Sequence, residues 1–325
     1  MTFDIAIPEW GPREIPAPAR FAAEIEVRLP ATDGYPLAGT LYRPRQSNGV
    51  AVVISSAYAA PRGYYRAYAR FLAARGFAVL TYDYRGIGDS RGAGWAGLEP
   101  RLRHWGERDL AAAIDWLADK YPHSRMTLIG HSIGGQLLGL APNHARVVAL
   151  LAVASQSGYW RLRDGSHRIA SFLYFHVFIP LMALLSRGLP SLRRGEFDVP
   201  SGVALEFARW GRHPQYIVDE VGRPLREHFD AWGGQARFYH FTDDHDFAPR
   251  RAVAAIAGFY RNAKIEIVHR APEDWGLSRI GHFGFFRSSM PAVAWQETAH
   301  WLERAAMPQY RSVQALSEPT QARAA

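Results

Sequence analysis

Continuous apolar runs constrain the fold of this 325-residue chain more than any other feature of its sequence. They occupy residues 49–56, 77–83, 126–130 and 147–155, and their Val, Ile, Leu and Ala content is typical of strands buried on both faces. Stretches with helical spacing lie between them, for example at residues 64–76. The alternation predicts an α/β fold with a mostly parallel central sheet flanked by helices.

The alternation stops after Ser155 and returns near residue 236. The block between these points is rich in aromatic residues, Arg, Gly and Pro, and it shows no clear strand. We therefore expect a mainly helical cap inserted into one α/β domain. The expected divisions are an N-terminal extension at 1–20, a core at 21–156 and 230–305, the cap at 157–229 and a C-terminal tail at 306–325.

Composition excludes several function classes. The formal net charge is +8, but the arginines are scattered rather than grouped in a patch, so we expect no nucleic-acid partner. The chain has no cysteine, which excludes disulfides and thiolate catalysis. Residues 1–20 lack the basic start and apolar core of a secretory signal, and we expect a cytoplasmic protein.

A serine lies between glycines at the end of one predicted strand, in Gly130-His131-Ser132-Ile133-Gly134. A strand, G-x-S-x-G and the start of a helix form the context of a nucleophile elbow. Small neighbours let strand and helix approach, while the serine takes an unfavourable backbone conformation that exposes its Oγ at the helix N-terminus. A plain turn is the alternative, but this context favours Ser132 as a nucleophile.

A serine nucleophile needs an imidazole to take its proton and a carboxylate to orient that imidazole. His282 lies in the glycine-flanked loop IGHFGFF after the last predicted strand, where parallel sheets place their sites. We expect His282 to be the base. His131 is poorly oriented for this role within the elbow, and His269 falls in or at the end of a strand.

The acid should follow the predicted strand at 236–241, where the chain reads TDDHDFAP. Asp244 fits the chain order Ser…Asp…His and stands three residues past the strand; Asp243 and Asp246 are the alternatives. These carboxylates could also form a metal cluster, but no HExxH-like partner occurs in the sequence. We expect no metal.

We also expect no nucleotide cofactor. In RGIGDSRG the G-x-G-x-x-G pattern fails, because Arg91 stands where the third glycine is needed.

These motifs resemble the α/β-hydrolase superfamily. Besides GHSIGG, the stretch TYDYRGIGDSRG at 81–92 is similar to the D-x-R-G-x-G-x-S loop that follows the fourth strand in that superfamily. The chain looks most similar, over about 40–305, to predicted bacterial α/β-hydrolases of the serine aminopeptidase-like group. The resemblance implies an α/β-hydrolase fold with a cap insertion and a triad, but no specific substrate.

An oxyanion hole should consist of two backbone N–H groups. One comes from Ile133, after the nucleophile, and the other from the loop SSAYAAPRGYY after the third strand. This loop has Ser55-Ser56 where the superfamily commonly has His-Gly. We expect the second donor to be Ala57, with Tyr58 as the alternative.

The cap should lie over Ser132, and its aromatic side chains form either an apolar roof for the substrate or the cap's own core. The pocket candidates are Tyr58, Tyr159, Trp160 and Trp210. The apolar segment 169–185 contains Pro180 and is short for a membrane span of ~20 residues. It could instead contact a membrane surface beside Arg187, Arg193 and Arg194.

The sequence thus predicts an esterase-like serine hydrolase. It would cleave a small-molecule carboxylic ester with a hydrophobic moiety, or an amide or thioester, through the acyl-enzyme formed by Ser132, His282 and Asp244. The alternatives are an acyltransferase with the same triad and a binding protein whose pocket is kept without chemistry.

Overall fold

A computed structural model of the chain describes residues 21–91, 99–185, 188–189 and 199–307. Eight strands form one sheet in the spatial order β1-β2-β4-β3-β5-β6-β9-β10. In chain order these are β1 (Phe21–Pro30), β2 (Pro36–Pro44), β3 (Val50–Ser55), β4 (Ala78–Tyr82), β5 (Arg125–His131), β6 (Val147–Val153), β9 (Gln235–Phe241) and β10 (Lys264–Arg270); a separate two-stranded sheet pairs β7 (Gly188–Leu189) with β8 (Val199–Pro200).

The predicted mostly parallel sheet is confirmed. β1 and β2 form an antiparallel hairpin, β2 is antiparallel to β4, and all other neighbouring strands of the large sheet run parallel. Every residue of β3 and β4 is buried, as expected for strands covered on both faces. Because the parallel strands end at one edge, the loops that follow β3, β5, β6 and β9 meet there.

The helices flank this sheet and fill the connections. Tyr68 Oη lies 2.7 Å from Thr298 Oγ1, which joins the first and last helices. The helices are α1 (Arg66–Ala74), α2 (Leu102–His104), α3 (Ala111–Lys120), α4 (Gly165–Leu173), α5 (Ile179–Leu185), α6 (Ser201–Arg212), α7 (Glu227–Ala231), α8 (Arg250–Ala257) and α9 (Ala292–Ala306); π-helical stretches follow α2 (Trp105–Leu110) and α4 (Tyr174–Phe178).

The chain after β5 differs from the sequence-based prediction. Instead of a full helix it forms two short 3₁₀ turns, Ser132–Gly135 and Leu137–Leu140. Three glycines and Pro142 within eleven residues disfavour a regular α-helix here. The helix dipole expected behind Ser132 is therefore absent from this part of the described structure.

Residues 157–229, which lie between β6 and β9 and which we call the inserted segment, are mainly helical in their described parts. Within it α4, the following π-helical stretch and α5 form one continuous helix, Gly165–Leu185, which we call the long helix. By length and composition alone the long helix could cross a membrane. The extension 1–20 and residues 308–325 of the tail lie outside the described residues.

Helix α6 fixes the inserted segment to the rest of the chain. The buried Glu206 carboxylate accepts a hydrogen bond from the Arg103 N–H at 2.9 Å. A Cβ on Gly202 would overlap the Pro100 carbonyl, so the helix start sits directly on the backbone before α2. α6 is thereby anchored to the chain that precedes α2.

Candidate active site

Ser132 lies immediately after β5, at the carboxyl edge of the sheet between β3 and β6. Its backbone has φ +52°, the left-handed region that an L-residue adopts only at a cost in free energy. This is the conformation that the elbow motif predicts. The serine is less exposed than expected, since only 7% of its surface is accessible.

Two glycines make this turn sterically feasible. A Cβ on Gly130 would overlap the backbone of Gly135, and a Cβ on Gly134 would overlap the Ser55 carbonyl at the end of β3. Gly130 therefore packs directly against Gly135, later in the same turn, and Gly134 packs against the end of β3. The G-x-S-x-G pattern is explained here by backbone contact rather than by flexibility.

His282 and Asp244 form a buried pair at the same edge of the sheet. His282 Nδ1 lies 2.6 Å from Asp244 Oδ2, and both side chains are almost fully buried. Burial alone would raise the pKa of Asp244, but the charge and hydrogen bond of His282 and the N–H groups of Phe247 and Ala248 lower this pKa below its ordinary value. Asp244 is thus held as a carboxylate that accepts a hydrogen bond from Nδ1 of His282.

The two alternative carboxylates have other partners. Asp243 Oδ2 accepts hydrogen bonds from the backbone N–H groups of Ile280 and Gly281, at 2.8 and 2.9 Å. Asp246 lies 2.9 Å from Nδ1 of His167 in the long helix. Only Asp244 contacts the His282 ring among the three.

Within the described residues, no hydrogen bond of 3.5 Å or less joins Ser132 to His282. The two residues nevertheless share a neighbour, since His131, directly before Ser132, donates from Nε2 to the His282 carbonyl at 2.9 Å. The His282 ring is also stacked on Phe247, with 4.7 Å between ring centroids. These contacts hold His282 beside the elbow, and serine–base hydrogen bonds are often long in unliganded enzymes.

The predicted oxyanion donor Ala57 is already engaged. Its N–H donates to Tyr65 Oη at 2.7 Å, and this oxygen lies 2.9 Å from His131 Nδ1. The Ala57 N–H therefore has a protein acceptor, which the sequence did not reveal. The backbone N–H groups of Ile133 and Tyr58 make no hydrogen bond to any residue that the structure describes.

The aromatic pocket candidates divide into two groups. Trp210 is fully buried and donates from Nε1 to the Val218 carbonyl, so it belongs to a core and not to a pocket; this prediction is wrong. Trp160 packs on Phe172 and on the buried side chains of the inserted segment, and Tyr159 contacts Trp160.

Tyr58 is the pocket candidate that links the loop after β3 to the inserted segment. Its ring stacks on Phe207 of α6, with 4.7 Å between centroids. Its hydroxyl is buried and has no hydrogen-bond partner among the described residues. Burial, together with Tyr174 nearby, raises the pKa of this hydroxyl well above its ordinary value, so it is neutral and able to donate.

Sequence reasoning missed the contacts that Tyr65 and Phe247 make at the candidate site, and it named Asp243 only as an alternative acid and not as a partner of the His282 loop. Their roles depend on partners far away in the sequence, and only the repeated carboxylates of TDDHD gave any signal. Across the described ranges, no group of three or more His, Cys, Asp or Glu side chains is arranged to hold a metal ion.

Comparison with known proteins shows what this chain is similar to. Residues 46–192 match the model of the hydrolase family described as serine aminopeptidase, S33. The match includes Ser132 and ends before Asp244 and His282. No curated relative matches the sequence.

Solved structures give the same fold. A soluble variant of monoglyceride lipase from Saccharomyces cerevisiae, in complex with a substrate analog, aligns with a TM-score of 0.63 at 11% identity, covering 88% of this chain and 97% of that chain. A Pyrococcus furiosus esterase aligns with 0.55 at 16% identity, covering 88% and 92%. DcsB, in complex with its substrate analogue, aligns with 0.58 at 16% identity, covering 87% and 99%.

At these identities the structural likeness establishes the fold, and the family match adds support for a hydrolase. The strand order, the elbow at Ser132 and the family match all agree. The chain therefore has the α/β-hydrolase fold and resembles the serine aminopeptidase-like group of that superfamily.

Proposed function

We propose that this α/β-hydrolase is a serine esterase that cleaves a carboxylic ester with a hydrophobic moiety. Ser132 is the nucleophile, His282 the general base and acid, and Asp244 the carboxylate that orients His282. The observation that carries the proposal is the 2.6 Å contact between His282 Nδ1 and Asp244 Oδ2, at the sheet edge where Ser132 adopts φ +52°.

The reaction follows from these positions. His282 Nε2 takes the proton of Ser132 as its Oγ attacks the ester carbonyl, and the same imidazolium then gives the proton to the departing alkoxide. Water, deprotonated by His282, attacks the acyl-enzyme, and the imidazolium then returns the proton to Ser132 Oγ as the acid leaves. Asp244 stays ionised throughout and stabilises the imidazolium by charge and hydrogen bond.

Two backbone N–H groups hold the negative oxygen of the tetrahedral intermediate in this proposal. They are those of Ile133 and Tyr58, because the Ala57 N–H is bound to Tyr65 Oη. With the 3₁₀ turn after Ser132 too short for a helix dipole, these directed donors supply the stabilisation. Losing one such donor typically costs ~10²–10³ in kcat.

A hydrophobic substrate is supported by what surrounds the reacting groups. The Phe247 ring lies on His282, and the stacked rings of Tyr58 and Phe207 join the β3 loop to the inserted segment, which we propose acts as a cap. Ser132 and His282 are both largely shielded from water, which strengthens the electrostatic interactions at the site.

Labelling with a fluorophosphonate probe tests the nucleophile. We expect the wild-type chain to be labelled and the Ser132→Ala variant not to be, while Ser288→Ala, at an exposed serine on the loop after His282, is labelled like wild type. An intact, folded wild-type chain that takes up no probe would mean a binding protein instead of an enzyme.

Kinetics with p-nitrophenyl esters test the substrate class. We expect kcat/KM to rise from short to long acyl chains, with a burst of p-nitrophenol equal to the amount of enzyme if deacylation limits the rate. Addition of alcohol acceptors separates the two enzymatic outcomes. Acceptors that divert most of the acyl group from water would identify an acyltransferase that uses the same three residues.

A further inference from the structure

The long helix exposes an apolar face for which the proposed reaction has no use. Ile169, Leu173, Val177, Leu181 and Leu185 follow one another at intervals of four residues and are all exposed. Residues at this spacing lie along one side of a helix. With the flanking Phe172, Phe178 and Leu184, this apolar face comprises eight large side chains that are 38–82% exposed.

The opposite side of the long helix is packed against the protein. Phe175 and Ile179 are buried against Ala204 and Ala208 of α6. Gly211 allows this close approach, because a Cβ there would meet the Phe175 ring. The helix is therefore held in place by one side, and the apolar face points away from α6.

A surface helix of a water-soluble protein normally carries polar residues on its outer side. A helix that is apolar on both sides is covered by something else, and a continuous exposed apolar patch marks a site of interaction. The long helix thus requires a covering partner.

The charges around the apolar face indicate which partner. Residues 165–185 contain Arg168 but no Asp or Glu. Arg161, just before the helix, is exposed with its guanidinium 5.1 Å from the centre of the Trp160 ring. Two carboxylates at this end already have partners: Asp164 is paired with Arg251, and Asp246 contacts His167. An aromatic and cationic end on an apolar helix suits the headgroup region of a lipid layer.

We propose that the long helix lies in the surface of a lipid bilayer containing anionic lipids, with its apolar face in the acyl region. Arg161 and Arg168 then contact the anionic headgroups. This inference does not depend on the proposed esterase activity, although a membrane would also present ester substrates with long acyl chains to the site.

Two other arrangements fit the helix less well. In a symmetric dimer this face would meet its own copy, and residues 165–185 of neither helix contain a carboxylate to pair with Arg161 or Arg168 of the other. A membrane-spanning helix would have to leave α6 and break the Asp164–Arg251 ion pair and the contact between His167 and Asp246. A surface orientation keeps all of these contacts.

Vesicle flotation with the full chain tests the proposal, and the Ser132→Ala background keeps binding separate from catalysis. We expect the chain to float with vesicles of phosphatidylcholine and phosphatidylglycerol, more weakly with phosphatidylcholine alone, and to be released by alkaline carbonate. The double variant Leu173→Glu/Leu181→Glu should reduce the partition coefficient by at least about 10-fold. Leu173→Gln/Leu181→Gln, which adds no charge, should also reduce it.

The matched control is Val221→Glu/Val293→Glu, which places the same two charges at exposed apolar positions outside the long helix. We expect it to bind like the parent, and all variants to keep the parent's circular dichroism and melting temperature. A parent chain that stays unbound with both vesicle types overturns the proposal, as does equal binding by the Leu173/Leu181 variants.

The remaining arrangements are separated by two further results. Sedimentation velocity without lipid would reveal a dimer, and its dissociation by Leu173→Glu/Leu181→Glu would assign the face to a second copy and overturn the proposal. Retention on vesicles after the carbonate wash would mean that the helix crosses the bilayer and would equally overturn a surface position.

Discussion

Asp244 binds the ring of His282, and its neighbour Asp243 binds the backbone of the loop that carries this ring. Two adjacent carboxylates thus have different partners: one contacts the imidazole ring, and the other contacts the backbone just before His282. Because Asp244 and Asp243 have different partners, replacing each of them by asparagine should have a different effect on activity.

We expect Asp244→Asn to lower kcat by about 10⁴-fold, because an amide stabilises the wrong tautomer and no imidazolium charge. Asp243→Asn should lower it by only about 10-fold, since the amide oxygen still accepts hydrogen bonds from Ile280 and Gly281 but without the strength of a charged acceptor. Steady-state kinetics with one ester measure both. Equal losses in the two variants would contradict the assignment of the acid.

His131 should make the stability of the chain depend on pH. Burial, with His282 nearby, lowers the pKa of His131 to about 3, against ~6.5 in an unfolded chain. Below about pH 6.5 the unfolded chain binds a proton that the folded chain excludes, so the free energy of unfolding falls as pH decreases, by up to about 1.4 kcal/mol per pH unit. The lowered pKa values of His104 and His240, each about 4, act in the same direction.

The variant His131→Gln removes this titration and keeps hydrogen-bonding groups at the same place. Urea unfolding at several pH values between about 6 and 4 should give a shallower slope for His131→Gln than for wild type. His123→Gln, at an exposed position, should leave the slope unchanged. Parallel slopes for all three chains would show that His131 titrates alike in both states.

Much of the fold, and the proximity of two residues of the candidate site, was predictable for a physical reason. Local apolar runs in the sequence predict buried parallel strands, and a local pattern of glycines predicts the elbow. Chain order then placed Asp244 and His282 at one edge, where the structure brings them together. Each of these features depends on residues close together in the sequence or on the rule that parallel strands end at one edge.

The features that escaped prediction depend on distant partners. The Ala57 N–H donates a hydrogen bond to Tyr65 and is not available to a substrate. The Trp210 side chain is fully buried in a core and does not line a pocket. The chain after Ser132 carried an apolar pattern, but its glycines prevented a full helix. The positions of Arg187, Arg193 and Arg194, expected beside the long helix, lie outside the described residues.

Replacing an elbow glycine by alanine should lower the free energy of unfolding. In Gly134→Ala the new Cβ would overlap the Ser55 carbonyl, which belongs to a buried strand end and cannot move away cheaply. We expect a loss of unfolding free energy at or above the upper end of the about 1–3 kcal/mol typical of overpacking, measured by urea unfolding. Gly63→Ala, where a Cβ meets nothing within 4 Å, should be nearly neutral; comparable losses would refute a steric role.

The Tyr65 hydroxyl should be worth more to stability than the Tyr58 hydroxyl, although both are buried. Tyr65 Oη accepts from the Ala57 N–H and lies within hydrogen-bond distance of His131 Nδ1, so Tyr65→Phe leaves two buried polar groups unpaired. At about 1–3 kcal/mol for each orphaned group, we expect a loss of roughly 2 kcal/mol or more in the free energy of unfolding. Tyr58→Phe deletes a buried hydroxyl without a partner in the described structure and should not destabilise the chain. If urea unfolding ranked the two variants in the opposite order, the Ala57–Tyr65–His131 network would not be the element that holds the elbow to the β3 loop.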